Sequence, residues 1–182
     1  MEFIKPLRES RRITYGIILG VWSIVALYAI LHDQYIVRIS PEHFTVYHHP
    51  LWGIEDPYWL AAAYAFLASF SPGLLLGVTC LFTARVGNAP KISVGYILKG
   101  VMIVVVLTEL VAASAGLYVY RSKQGIYPDS WYPEKSVSIL VTQTIQVTCY
   151  LSAALFSGMF VLFLIYTRNL RLKFKGGGKG EA

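Results

Sequence analysis

Charge is scarce in this chain. Only 14% of its 182 residues are Asp, Glu, Lys or Arg, against about 25% in a typical soluble domain. That deficit excludes a globular domain with a fully water-facing surface. Cysteine is limited to Cys80 and Cys149, both inside apolar runs. Two such residues cannot build a disulfide framework or a cysteine-rich zinc site. Their different depths, about 10 Å apart at 1.5 Å rise per residue, argue against a disulfide between them. The chain also lacks GxSxG, HExxH, CxxC and a glycine-rich phosphate loop. The nucleophile elbow, the zincin helix, the thioredoxin-like pair and the phosphate cradle are thereby excluded. No internal repeat or inverted symmetry suggests a repeat-built transporter.

What the chain has is long apolar runs. Hydrophobic residues make up 55%, gathered into stretches at about 13–31, 58–84, 94–118 and 137–166. A hydrocarbon core about 30 Å thick needs about 20 apolar residues at 1.5 Å each. The expected fold is all-α: an integral membrane protein built as an antiparallel four-helix transmembrane bundle in one domain. The outer loops fall at 32–57 and 119–136. Residues 1–12 form a basic start, and 167–182 form a basic glycine-rich tail expected to be disordered from Lys175 onward.

Charge placement orients the bundle. Lys5, Arg8, Arg11, Arg12, Arg85, Lys91, Lys99, Arg168, Arg171, Lys173, Lys175 and Lys179 fall on one side, twelve in all. The other side holds only Arg38, Arg121, Lys123 and Lys135. The positive-inside rule then puts both termini in the cytoplasm of a multi-pass protein of the cell (inner) membrane. The first run resembles a signal peptide in its basic start, but it is long and no small-x-small site follows, so it reads as a retained anchor. The basic ends read as attraction to anionic lipid, with no nucleic acid partner. The second connection, with Gly87, Asn88 and Pro90, reads as a tight hairpin.

Glu109 is the most informative single residue, since an acid at mid-span is costly unless paired, protonated or hydrated. It shares a helix face with Ala112, Ala113 and Gly116, and such small-residue faces pack against other helices. Gln143, Gln146 and Ser69 lie at similar depth, roughly 12–17 Å inward at 1.5 Å per residue, with Ser23 nearby. The expectation is a buried polar layer in which neutral Glu109 donates to Gln146. Such a layer serves either as a hydrogen-bond clamp or as a proton- or cation-binding site. Pro72 interrupts the second span and frees the carbonyl of Ala68. Ser69, Gly73 and Gly77 form a small-residue stripe suited to close packing beside that kink. The leading reading is a kinked helix with a close packing face; the alternative is that the freed carbonyl lines a cavity beside Glu109.

All four histidines, His32, His43, His48 and His49, fall in the first outer connection with Asp33 and Glu42. That segment reads either as two extended pieces around Ser40-Pro41 or as a short interfacial helix opened by Pro41-Glu42-His43. His43, His48, His32 and Asp33 are the candidate metal ligands by residue type. Their spacing matches no zinc motif, and His43 and His48 align poorly in either regular conformation. No metal or other cofactor is therefore assigned. The leading functional expectation is a non-enzymatic accessory or interaction subunit, with a membrane-protein partner or a second copy of itself. The alternative is a small transporter or proton-coupled protein using Glu109. A membrane enzyme with a metal at its outer face ranks third.

Overall fold

A computed structural model describes residues 9–177, so the outermost parts of both basic ends, 1–8 and 178–182, lie outside the described residues. Among the described residues there are four long helices and no strand. They are α1 (Arg11–Ile39), α3 (Pro57–Arg85), α4 (Val94–Ser122) and α5 (Val137–Gly177). A short helix α2 (Glu42–Thr45) follows α1, and a 3₁₀ turn at Asp129–Trp131 precedes α5. All four long helices are apolar enough and long enough to cross a membrane. Leu27, Leu31, Leu75, Ile103, Leu110 and Leu162 are each at least 60% exposed. An outward surface of that kind suits lipid rather than water.

Local sequence sets the ends. Ser10 accepts from the backbone N–H of Ile13, and Asp56 accepts from those of Tyr58 and Trp59 with Pro57 at the first helical position. Ser93 accepts from Tyr96 N–H. These are N-caps that satisfy amides the helix leaves free. At the other end of α4, Lys123 takes the left-handed conformation, φ 58°, and its N–H reaches the Val119 carbonyl. That is a helix-terminating geometry usually given to glycine.

Two expected boundaries are corrected, and one open reading is decided. α1 does not end at Leu31 but runs to Ile39. Nothing between His32 and Ile39 breaks a helix, and the first breaker is Pro41, which pushes Ser40 to φ −152°, ψ 101°. His32 and Asp33 therefore belong to a helix, not to the outer loop. Of the two readings of the following segment, the short helix is the one adopted. α5 continues past Tyr166 to Gly177, so the basic tail begins as helix; Arg, Leu and Lys are good helix formers.

The core falls into two halves. One gathers Ile36, Phe44, Ala112, Val119, Tyr132 and Ile145. The other gathers Ile17, Val21, Cys80, Ile97, Phe160 and Leu164. α1 packs chiefly on α3, α4 on α5, and the two pairs meet mainly through α1 and α4. Gly73 and Gly77 make the α1–α3 contact close. A Cβ on Gly77 would lie 2.8 Å from the Ile18 carbonyl oxygen, and one on Gly73 would lie 3.0 Å from the Trp22 ring. This is backbone-level approach of the small-residue type.

Polar clamps close both ends. Glu9 pairs with Arg85 at 2.7 Å and with Lys91. Those two cations hold its carboxyl below the usual carboxylate range, Arg85 most of all. Arg168 of α5 is buried and donates to four carbonyls around the α3–α4 connection. At the opposite end Tyr47 donates to Glu134, joining the α1–α3 connection to the α4–α5 connection. Cys80 and Cys149 are both buried free thiols.

Candidate functional site: an intramembrane cavity and its histidine–carboxylate pair

Between the two core halves, Glu109 projects from α4 toward α1. Its Oε2 lies 2.7 Å from His32 Nδ1 and 3.0 Å from the Tyr28 hydroxyl. Tyr28 donates to that oxygen, which therefore acts as an acceptor, and His32 Nδ1–H donates to it as well. The Tyr28 oxygen is in turn 3.3 Å from the Cys149 sulfur on α5. Three helices thus converge on one carboxylate. His32 and Tyr28 share a face of α1 because they are four residues apart.

This corrects the expected layer. Glu109 does not pair with Gln146; it is bound by α1, whose polar turn continues the helix through what looked like loop. Gln146 instead donates to the Tyr150 hydroxyl at 2.5 Å, one turn along its own helix. Gln143 donates to the Trp131 carbonyl at 3.0 Å, anchoring the 3₁₀ turn before α5. Ser69 is buried and donates to the Phe66 carbonyl in its own helix, while Ser23 is exposed. Ala112 and Gly116 are buried beside Glu109, but Ala113 is exposed.

His32 also lines a cavity of about 630 Å³ formed by α1, α3, α4 and α5. Pockets for small molecules run about 300–1,000 Å³. The inner wall is buried: Ala65, Ser69, Val101, Val104 and Thr108. The exposed lining residues lie on α3 and α5: Ala68, Pro72 and Leu75 on one side, Tyr150, Ala154 and Gly158 on the other. The mouth therefore opens sideways between two spans, at the level of the apolar helices. Ala68 and Pro72 form part of this rim.

One end of the cavity is polar. His32, Asp33, Tyr28, Thr108, Gln146 and Tyr150 gather there, and the rest of the wall is apolar apart from Ser69, Thr79 and Ser157. Three of these atoms, His32 Nε2, Thr108 Oγ1 and Gln146 Oε1, are buried without a hydrogen-bond partner. An unmet buried polar group costs about 1–3 kcal/mol. Three on one cavity wall, from three different helices, describe a place prepared for something polar. Thr108 usually has an easy remedy, a bond to a carbonyl one turn back, and does not take it.

His43 and His48 form a separate cluster in the α1–α3 connection. His43 on α2 is buried, with both ring nitrogens unpartnered. Its ring lies 5.3 Å from that of His48, because the chain leaves the helix after Thr45 and turns back. His48 Nδ1–H donates to the His43 carbonyl at 2.6 Å. Burial, with the nearby His48 and His32 charges adding to it, pushes the His43 pKa down to about 4. Among the described residues, no three His, Cys, Asp or Glu side chains are grouped so as to hold a metal ion. The metal candidates are thus divided: His32 belongs to the Glu109 pair, Asp33 to the cavity, and His43 and His48 to the α1–α3 connection.

Sequence reasoning missed His32, Asp33, Tyr28 and Thr108 as members of one site, and Arg168 as a buried group. The 28/32 spacing was a readable signal once α1 is allowed to run past Leu31. No protein family, curated protein or solved structure matches the chain.

Proposed function

We propose that this is a small membrane-embedded binding protein that takes an amphiphile from the lipid phase into the cavity between α3 and α5. One observation carries the reading: an apolar cavity with a lipid-facing mouth ends in three unpartnered buried polar atoms. Apolar walls suit a hydrocarbon tail, and a few convergent polar groups fix a head. Binding of this kind is not catalysis, and an accessory subunit of a membrane complex can carry it. The test is to extract the protein in native lipid discs and identify what it retains. A neutral amphiphile should be enriched over bulk lipid at near one per chain. Gly158→Phe should displace it, since a side chain there enters open space on the cavity wall. Retention no greater than bulk lipid, or unaffected by Gly158→Phe, would refute the reading.

The protein is further proposed to lie in the cell membrane as an antiparallel bundle, with both chain ends at the cytoplasmic face. The twelve-to-four division of basic residues supports this. So do the contacts of Glu9 with Arg85 and of Arg168 with the α3–α4 connection. A cysteine at Gly125 should label only from outside and one at Gly176 only from the cytoplasm. Labelling of both from one side would exclude that arrangement.

A second reading, proton-coupled transport, is favoured by the His32–Glu109 contact, since intramembrane ionisable groups commonly serve proton relays. Proteoliposomes should then show a pH-driven flux that Glu109→Gln abolishes, and the absence of any such flux would count against it.

A further inference from the structure

We infer that the head of the bound amphiphile is an aromatic diol of the quinol class, held by His32 Nε2 and Gln146 Oε1 with Thr108 beside them. The inference rests on the amphiphile-binding reading above and names its ligand. Charge narrows the head first. No Lys or Arg lines the cavity, Asp33 does, and Glu109 stands behind His32. Any charge on His32 is already balanced by Glu109, so a carboxylate or phosphate head would meet Asp33 with no free cation to offset it. The ligand head is therefore neutral.

Hydrogen-bond valence narrows it further. His32 Nδ1 is taken up by Glu109, which leaves Nε2 as the free atom, an acceptor on the neutral ring and a donor on the imidazolium. Gln146 uses its amide N–H toward Tyr150, which leaves Oε1 as an acceptor. Both atoms are buried and unpartnered, and they stand on different helices, α1 and α5. Two separate unpartnered polar atoms call for two oxygens on one molecule, one of them an O–H that donates to Gln146. A sterol or a fatty alcohol brings one. A quinol brings two, carried on a rigid ring. The Thr108 hydroxyl can donate or accept and takes the remaining valence.

Shape agrees. Tyr28, His32 and Tyr150 line the polar end, and aromatic side chains pack well on a flat ring. The apolar remainder of the cavity and its sideways mouth receive the tail. The carboxylate behind His32 adds a second property: it stabilises the imidazolium, whose Nε2–H can donate to a carbonyl. The site therefore accommodates the oxidised ring too, but less well, because Gln146 Oε1 then loses its donor.

The test uses protein in phosphatidylcholine nanodiscs and four probes that share a ten-carbon tail. They are a decyl benzoquinol, its benzoquinone, 1-decanol and monodecanoylglycerol, the last carrying two hydroxyls without a ring. The quinol should bind near one per chain and about tenfold more tightly than decanol or the glyceride, with the quinone between. His32→Ala and Gln146→Leu should each weaken the quinol about tenfold, the scale of one buried hydrogen bond to a charged or strongly polar partner. Gln146 lies outside the Glu109 pair, so its variant still decides the matter if His32→Ala does not fold. Decanol or the glyceride binding as tightly as the quinol would overturn the assignment. So would quinol binding that ignores both substitutions. If Gly158→Phe still blocks all four probes in those cases, amphiphile binding stands and only the quinol head is wrong. If Gly158→Phe changes nothing and all probes merely partition with lipid, both readings fall.

Discussion

Arg168 offers the sharpest test of what holds the bundle together. It reads as one more topogenic charge after the last span, yet only 6% of it is exposed. Nε donates to Pro90 O at 3.1 Å, Nη1 to Thr83 O at 2.7 Å and Val86 O at 2.8 Å, and Nη2 to Ala89 O at 2.7 Å. One guanidinium thereby ties α5 to the end of α3 and to the whole turn toward α4. The partners are carbonyls near a helix C-terminus, where the backbone dipole favours a cation. Hydrogen bonds to charged groups are worth about 1.5–3 kcal/mol each. Four cannot simply be summed, because one side chain makes them all and the four carbonyls belong to half-buried residues that water reaches when it leaves. Arg168→Ala should therefore cost about 3 kcal/mol, near the cost of breaking a buried ion pair. Arg168→Lys keeps the charge but donates from a single point and cannot reproduce the fork. It should recover about half. Reversible unfolding in mixed micelles measures the change. Thiol labelling of Cys80, buried on α3 in the same half of the core, reports local loosening. If Arg168→Ala falls within about 0.5 kcal/mol of the parent and Cys80 stays protected, the clamp is ornamental and the reasoning is wrong.

The glycine contacts predict a contrast: Gly77→Ala should cost about 1–3 kcal/mol because its Cβ meets the Ile18 backbone, while Gly158→Ala should be neutral or slightly stabilising. Equal effects in thermal unfolding would show that close approach of α1 and α3 is not what the glycines provide. His43 predicts a pH dependence. Its pKa is about 4 folded against about 6.5 unfolded, so the unfolded chain takes up the proton first. The stability this gives is complete above about pH 6.5 and is lost as pH falls toward 4, amounting to about 2 kcal/mol by pH 5. His43→Phe should flatten that part of the pH–stability curve, and an unchanged slope would contradict the burial argument. Glu109→Gln should fold normally because its amide oxygen still accepts from Tyr28 and His32. Glu109→Leu should cost about 1–3 kcal/mol by orphaning both donors, and equal stability of the two variants would contradict the pairing.

The four helices were legible because hydrocarbon thickness imposes a length on apolar runs that composition displays directly. The small-residue stripe Ser69, Gly73 and Gly77 was legible for a related reason, since only residues without bulk let two backbones meet. The partner of Glu109 was not. Hydropathy ends α1 at Leu31, where His32 and Asp33 begin, but a helix ends where its hydrogen bonding ends. That point is Ser40, fixed by Pro41. The apolar run and the helix are different objects, and the site occupies the difference between them. His32 is polar enough to look like loop because Glu109 makes its burial tolerable, and Glu109 is tolerable at mid-span because His32 and Tyr28 are there. Each residue's placement is improbable without the others, so reading them one at a time assigns His32 to water and Glu109 to a glutamine. Depth counting failed for the same reason: it compares positions along spans, whereas the pair is decided by which face of α1 turns toward α4. The spacing Tyr28 to His32, one helical turn, carries that information. It becomes readable only when the helix is followed to its breaker rather than to the edge of its apolar run.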